Sequence, residues 1–163
     1  MGKYELTLHP EKTKIVYCKN GGRRETHEHE SFTFLSYSFQ PRVQQDKFGR
    51  KKVFLSFDCA MSSAAKSRVR EAIRAVFSPR WTERTLVEFA KKLNPKLRGW
   101  INYYTRFNSH EAMPVFSYLN ELIKKWIKNK YKLRNMESLY VKFKALQTEN
   151  INLFYHWTKG VRT

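Results

Sequence analysis

At 163 residues, 41% hydrophobic and 15% aromatic, the chain is long and apolar enough to bury a core, which excludes wholesale disorder. Its 32 Lys and Arg against 14 Asp and Glu leave +18, a self-repelling balance that implies a polyanionic partner, nucleic acid before an anionic membrane surface. No apolar run approaches the ~20 residues of a spanning helix, no charged-then-apolar leader opens the chain, and Cys18 and Cys59 alone make neither a disulfide framework nor a zinc finger; a reducing cytoplasm is the compartment expected.

The first 60 residues carry strand signals. Residues 4–8 alternate until Pro10 interrupts them, and residues 14–18 form a short apolar run closed by the turn signal Asn20-Gly21-Gly22. The polar stretch RRETHEHE (23–30) follows. Its His27-x-His29 pair would share one face of a strand, but a metal needs further ligands at fixed distance, so a polar hairpin loop is the preferred reading and no metal site is expected. Residues 32–39 and 53–57 predict two more strands, with Lys47-Phe48-Gly49-Arg50 as the turn between them.

From residue 62 the hydrophobic period changes from two to 3.6. Ser62 and Ser63 suit an N-cap, and Ala65, Val69, Ala72, Ile73 and Val76 form an apolar stripe that Pro79 ends. Thr82 is expected to open a second helix with Leu86, Phe89, Ala90 and Leu93 on one face. Asn94-Pro95 is expected to break it and cap a third, in which Leu97, Trp100, Ile101 and Tyr104 make the buried line. The next helix begins at Ser109 or Glu111, with Val115, Leu119, Leu122 and Trp126 buried and Lys124 and Lys128 pointing the other way. Residues 136–146 give a last, shorter helix.

The charge sits mostly in this helical part. Residues 1–61 hold 11 basic and 7 acidic side chains, whereas residues 62–163 hold 21 and 7. Three basic runs stand out: Lys66, Arg70 and Arg74 at every fourth position; Arg80, Arg84, Lys91, Lys92, Lys96, Arg98 and Arg106; and Lys124, Lys125, Lys128, Lys130, Lys132 and Arg134. One such run is an ordinary solvated face, but three with few acids between them predict a surface that tracks phosphates. Tyr103, off the apolar line, is open to either packing or stacking on an unpaired base.

The ordered motifs PEKTKIVY (10–17), FTFLSYSFQPR (32–42), LNPKLRGWINYY (93–104) and LFYHWTKG (153–160) together resemble the C-terminal part of group II intron-encoded reverse transcriptases, which join a polymerase to an RNA-splicing maturase region. The resemblance implies an α+β, mainly α chain: residues 1–61 as residual palm strands with a primer-grip-like hairpin (Phe34, Leu35, Ser36, Tyr37), and residues 62–163 as a basic helical thumb and maturase bundle. Lys12 matches the family's palm lysine, although here a solvated surface lysine is the expectation. The family usually has Gly where this chain has Ser36, which bears on how closely a primer can approach.

The family's paired catalytic aspartates are not among these motifs; Asp46 and Asp58 are the two aspartates of the chain and stand apart, whereas two-metal phosphoryl transfer needs paired carboxylates. The expectation is therefore a fragment, truncated relative or separate domain that binds structured group II intron RNA and assists splicing without catalysis or cofactor of its own, Mg2+ belonging to the RNA. The RNA-binding set is Lys66, Arg70, Arg74, Arg80, Arg84, Lys91, Lys92, Lys96, Arg98, Tyr103, Arg106, Lys124, Lys125, Lys128 and Lys132. The alternative is a piece of an RNA-directed DNA polymerase that clamps an RNA/DNA duplex, its palm and fingers supplied in cis or in trans. A generic DNA-binding bundle is a weaker third, since no helix-turn-helix spacing is evident. An exposed strand edge would favour self-association.

Overall fold

The computed structural model describes residue 7 and residues 9–11, 13–45 and 53–161. Lys12, Asp46, the turn at residues 47–50 and, residue 7 apart, the strand expected at residues 4–8 lie outside the described residues. The elements run β1 (Phe32–Phe34), β2 (Tyr37–Gln45), β3 (Val53–Met61), α1 (Ser63–Val76), α2 (Leu86–Tyr104), α3 (Ser109–Lys130), α4 (Met136–Glu149) and α5 (Tyr155–Thr158). This is the α+β, mainly α architecture that the change of period predicts. The chain divides into two compact units, residues 1–59 and 60–163.

In the first unit the strands lie in the order β1-β2-β3, with β1 and β2 antiparallel and Phe32 opposite Phe39. Those two rings stack in parallel, centroids 4.6 Å apart, a cross-strand pair of the kind that fixes register. Residues 32–39 are not the single strand that their composition suggests but the hairpin that the resemblance implies. The run folds back between Phe34 and Tyr37, with Leu35 at φ 46° and Ser36 at φ 67°. A two-residue hairpin turn needs both central residues left-handed to match the strand twist, and Gly or Asn is the usual choice. Glycine at this position would have a conformational reason as well as one of access; serine accepts the same turn at some steric cost.

Residues 14–18, read as a strand, form none. Ile15 is 94% exposed, and the Tyr17 N–H to His29 C=O bond (2.8 Å) is not continued as a ladder. Asp58 ties β3 to β2 by accepting from Gln44 Nε2 at 2.7 Å. Burial first, and then the charge of Asp58, push the neighbouring Cys59 thiol up from its ordinary value, away from thiolate chemistry.

The second unit is built around α3, whose buried residues Val115, Phe116, Leu119, Leu122, Ile123, Trp126 and Ile127 occupy most of its circumference. A helix apolar nearly all round belongs in the middle of a bundle. It packs against α1, α2 and α4, while α2 also packs against α1 and α5. Ser62 caps α1 as expected, its hydroxyl accepting from the Ala65 N–H. The second helix opens at Leu86 instead of Thr82. Thr85 is its N-cap, accepting from the Glu88 N–H and donating to the Glu88 carboxylate.

The expected break at Asn94-Pro95 is absent, and α2 runs through both residues. Pro95 removes one helical N–H, a penalty of about 3 kcal/mol in an isolated helix. Leu93, Leu97 and Ile101, each buried to 2% exposure or less, hold the helix in the core on both sides of it. Asn94 does not cap. Its Nδ2 donates to the Leu153 carbonyl (2.8 Å) and its Oδ1 accepts from the Tyr155 N–H (3.0 Å), so it latches the C-terminal segment to α2.

A second latch sits deeper. Asn120, fully buried in α3, accepts at Oδ1 from Trp157 Nε1 and His156 Nε2, both at 2.8 Å, and donates from Nδ2 to the Val161 carbonyl at 3.2 Å. Because Oδ1 can only accept, His156 carries its proton on Nε2. Its Nδ1 is buried without a hydrogen-bond partner, and burial lowers the imidazole pKa to about 3.

Candidate nucleic-acid interface

The cations that the sequence singles out fall into distinct settings. On α1, Arg74 is exposed in the last turn, where a cation also suits the helix dipole. Arg70 is half-buried, and Lys66 is drawn into an ion pair with Glu111 of α3 at 2.6 Å. Thus the ridge at every fourth residue exists, but one end of it is neutralised.

Arg80, Lys125 and Lys128 converge. They line an open recess of about 510 Å³ with Ser78, Pro79 and Asn129, and no acidic side chain is among those lining residues. Asn129 Nδ2 donates to the Pro79 carbonyl at 3.0 Å and so fixes the loop that carries Arg80 against α3. Arg84, further along that loop, is half-buried, its guanidinium 4.5 Å from the Trp81 ring centroid. Three exposed cations on rigid supports around one recess match the needs of a phosphate group.

A larger recess, about 700 Å³, is lined by Lys91, Asn94, Pro95, Arg98, Asn152, Tyr155 and Thr158. Both Arg98 and Lys159 lie over the Tyr155 ring, at 5.3 and 5.4 Å from its centroid. The Tyr155 hydroxyl donates to Asn102 Oδ1 at 3.1 Å. Proline at position 95 leaves the Lys91 carbonyl without its i+4 donor. The wall formed by residues 152–158 depends on the Asn94 and Asn120 latches.

The other exposed face of α2 carries Lys92, Lys96, Gly99 and Tyr103, with Arg106 just beyond the C-cap Thr105. Residues 91–106 contain five Lys or Arg and no acid. Tyr103 is 44% exposed and meets Tyr104 edge-on, while Tyr104 itself is buried. Trp100, expected in the core, is half-buried.

Lys124 departs from its reading. Instead of pointing to solvent it is 8% exposed, paired with Glu121 at 2.9 Å and lying 4.9 and 5.3 Å from the ring centroids of Tyr140 and Phe143. Its aliphatic stem completes the α3–α4 contact and its charge is compensated within the protein, so it is a packing residue. Lys132 is exposed with φ 50°, and the following Leu133 N–H reaches back to the Lys128 carbonyl at 3.1 Å. That is a helix end usually given to Gly.

In the first unit the hairpin tip exposes Phe34 (60%) and Leu35 (67%), with Ser36 half-buried, whereas Tyr37 is turned into the core at 5%. His27 packs on Tyr17 at 4.1 Å and lies 3.5 Å from Glu25. Among the described residues no three His, Cys, Asp or Glu side chains converge on a metal position, and no helix is long and apolar enough to cross a membrane.

Sequence reasoning missed Asn94, Asn120, His156 and Tyr155. A buried amide has no periodic signature, and the aromatic, short α5 reads as core packing.

Compared with known families, residues 66–143 match the model described as "Group II intron, maturase-specific domain". No curated protein and no solved structure matches the chain.

Proposed function

We propose, from the premise that residues 66–143 form a group II intron maturase-specific domain, that this protein binds the folded RNA of such an intron and helps it splice. The maturase domain is a non-catalytic part of group II intron proteins. Splicing chemistry and its Mg2+ ions therefore belong to the RNA, in a bacterial cytoplasm, and the protein holds the active RNA shape. The observation that carries the reading is the recess of Arg80, Lys125 and Lys128, which lies inside the matched segment and has no acid in its lining. Phosphate contacts of this kind position an RNA, while shape and unpaired loops supply discrimination.

The test is a salt series on the Arg80→Gln, Lys125→Gln, Lys128→Gln triple variant. Losing two or three phosphate contacts should lower the slope of log affinity against log salt by about 2–3 and weaken binding by at least about tenfold at moderate salt. Lys124→Gln, which removes an internally paired charge, should leave the slope unchanged. A triple variant with the wild-type slope and affinity would contradict the assignment.

The hairpin of the first unit favours a second reading, a piece of an RNA-directed DNA polymerase. Its exposed Phe34-Leu35 tip would lie along the primer end of an RNA/DNA duplex, with palm and fingers in cis or in trans.

A further inference from the structure

Among the described residues nothing packs so closely on Gly99 that glycine is required there. It is the fourteenth of the 19 residues of α2, is exposed, and is not left-handed. A Cβ built on it meets no atom within 4 Å. Glycine in a helix interior is less stable than alanine, because it loses more backbone freedom on folding. The helix therefore carries a destabilising residue that neither its conformation nor its packing requires.

What surrounds Gly99 points to a ligand. Lys96 stands one turn before it and Tyr103 one turn after, with Lys92 and Arg106 extending the same face. An unbranched backbone flanked by cations, in a stretch free of acids, lets a polyanionic chain lie against the helix more closely than any side chain would allow.

We propose that the sugar–phosphate backbone of an RNA strand crosses α2 at Gly99. Lys96 and Lys92 hold phosphates on one side of the crossing, Arg106 holds one on the other, and Tyr103 stacks an adjoining unpaired base. This rests on the RNA-binding reading above and adds to it a point of close steric approach, separate from the charges.

The experiment compares the full chain with Gly99→Ala and Gly99→Leu, reading thermal stability and equilibrium binding to a folded group II intron RNA over a salt series. Alanine should raise the melting temperature by roughly 2 °C. It should nevertheless weaken RNA binding by about fivefold, and leucine by about fiftyfold, with the wild-type salt slope since no charge has changed. Greater stability with poorer binding is the signature of a glycine kept for its ligand.

Binding as tight as wild type in both variants would overturn the crossing while leaving the RNA-binding reading intact. A lower melting temperature for Gly99→Ala would also overturn it, by showing that the helix itself needs glycine near Pro95. A wild-type chain that binds no RNA would remove both.

Discussion

Truncating Asn120 to Ala is expected to cost about 3–5 kcal/mol of folding stability, the largest single-residue loss predicted for this chain. The residue is fully buried and serves three groups, the Trp157 N–H, the His156 N–H and the Val161 carbonyl. Each would lose this partner in the core, at about 1–3 kcal/mol apiece before any relaxation, and a small cavity would be added. Against a typical stability of about 5–15 kcal/mol the variant should be close to unfolding. Urea unfolding followed by tryptophan fluorescence measures the loss; a cost under about 1 kcal/mol would mean that the latch is not what secures the C-terminal segment. The consequence extends to the surface, because that segment presents Tyr155 to Arg98 and Asn102.

The second large effect is on pH. His156 is held neutral in the fold with a pKa of about 3, by burial, against an ordinary value of 6.5. Its folded pKa lies below its unfolded one, so the unfolded chain takes up a proton that the folded chain refuses. The stability attached to this group is intact above pH 6.5 and is lost as pH falls from there toward 3. At 1.36 kcal/mol per unit, about 2 kcal/mol should be gone by pH 5. Replacing His156 by Gln removes the titrating group. Urea midpoints between pH 7.5 and about 4.5 should then fall less steeply for the variant than for wild type. Parallel decline of the two would show that His156 is not the group responsible.

The helical architecture was legible because burial imposes a period. Val69, Ile73, Leu93, Leu97, Leu119 and Trp126 all lie where a 3.6-residue repeat places them. What escaped the sequence were choices between two local meanings of one residue. Asn94-Pro95 has the chemistry of a helix start, yet Asn94 has tertiary partners 59 and 61 residues away, and its neighbours' burial carries the helix through the proline. By composition residues 32–39 read as one strand, because Leu35 and Ser36 lack the Gly or Asn that announces a tight turn, and it was the resemblance of the motif that put a hairpin at residues 34–37. Lys124 looks like one more cation in a basic run until α4 folds over it, and no spacing rule distinguishes a lysine whose charge is met by Glu121 from one that meets solvent.

The same distinction divides the candidate interface. Lys66 and Lys124 are spent on internal ion pairs, and Arg84 lies along Trp81, whereas Arg80, Lys125, Lys128, Lys91 and Arg98 line two recesses. Those recesses and the α2 face around Gly99 are the cationic positions to which the proposal assigns a folded RNA.

The most direct test of that claim is an equilibrium binding titration across a salt series with three ligands of matched length: a folded group II intron RNA, a plain RNA duplex and duplex DNA. All three should weaken with salt as released counterions lose their advantage. The account predicts that the intron RNA remains at least tenfold tighter, about 1.4 kcal/mol, at the highest usable salt. Three curves that collapse together would contradict it, leaving a basic bundle that recognises charge and nothing more.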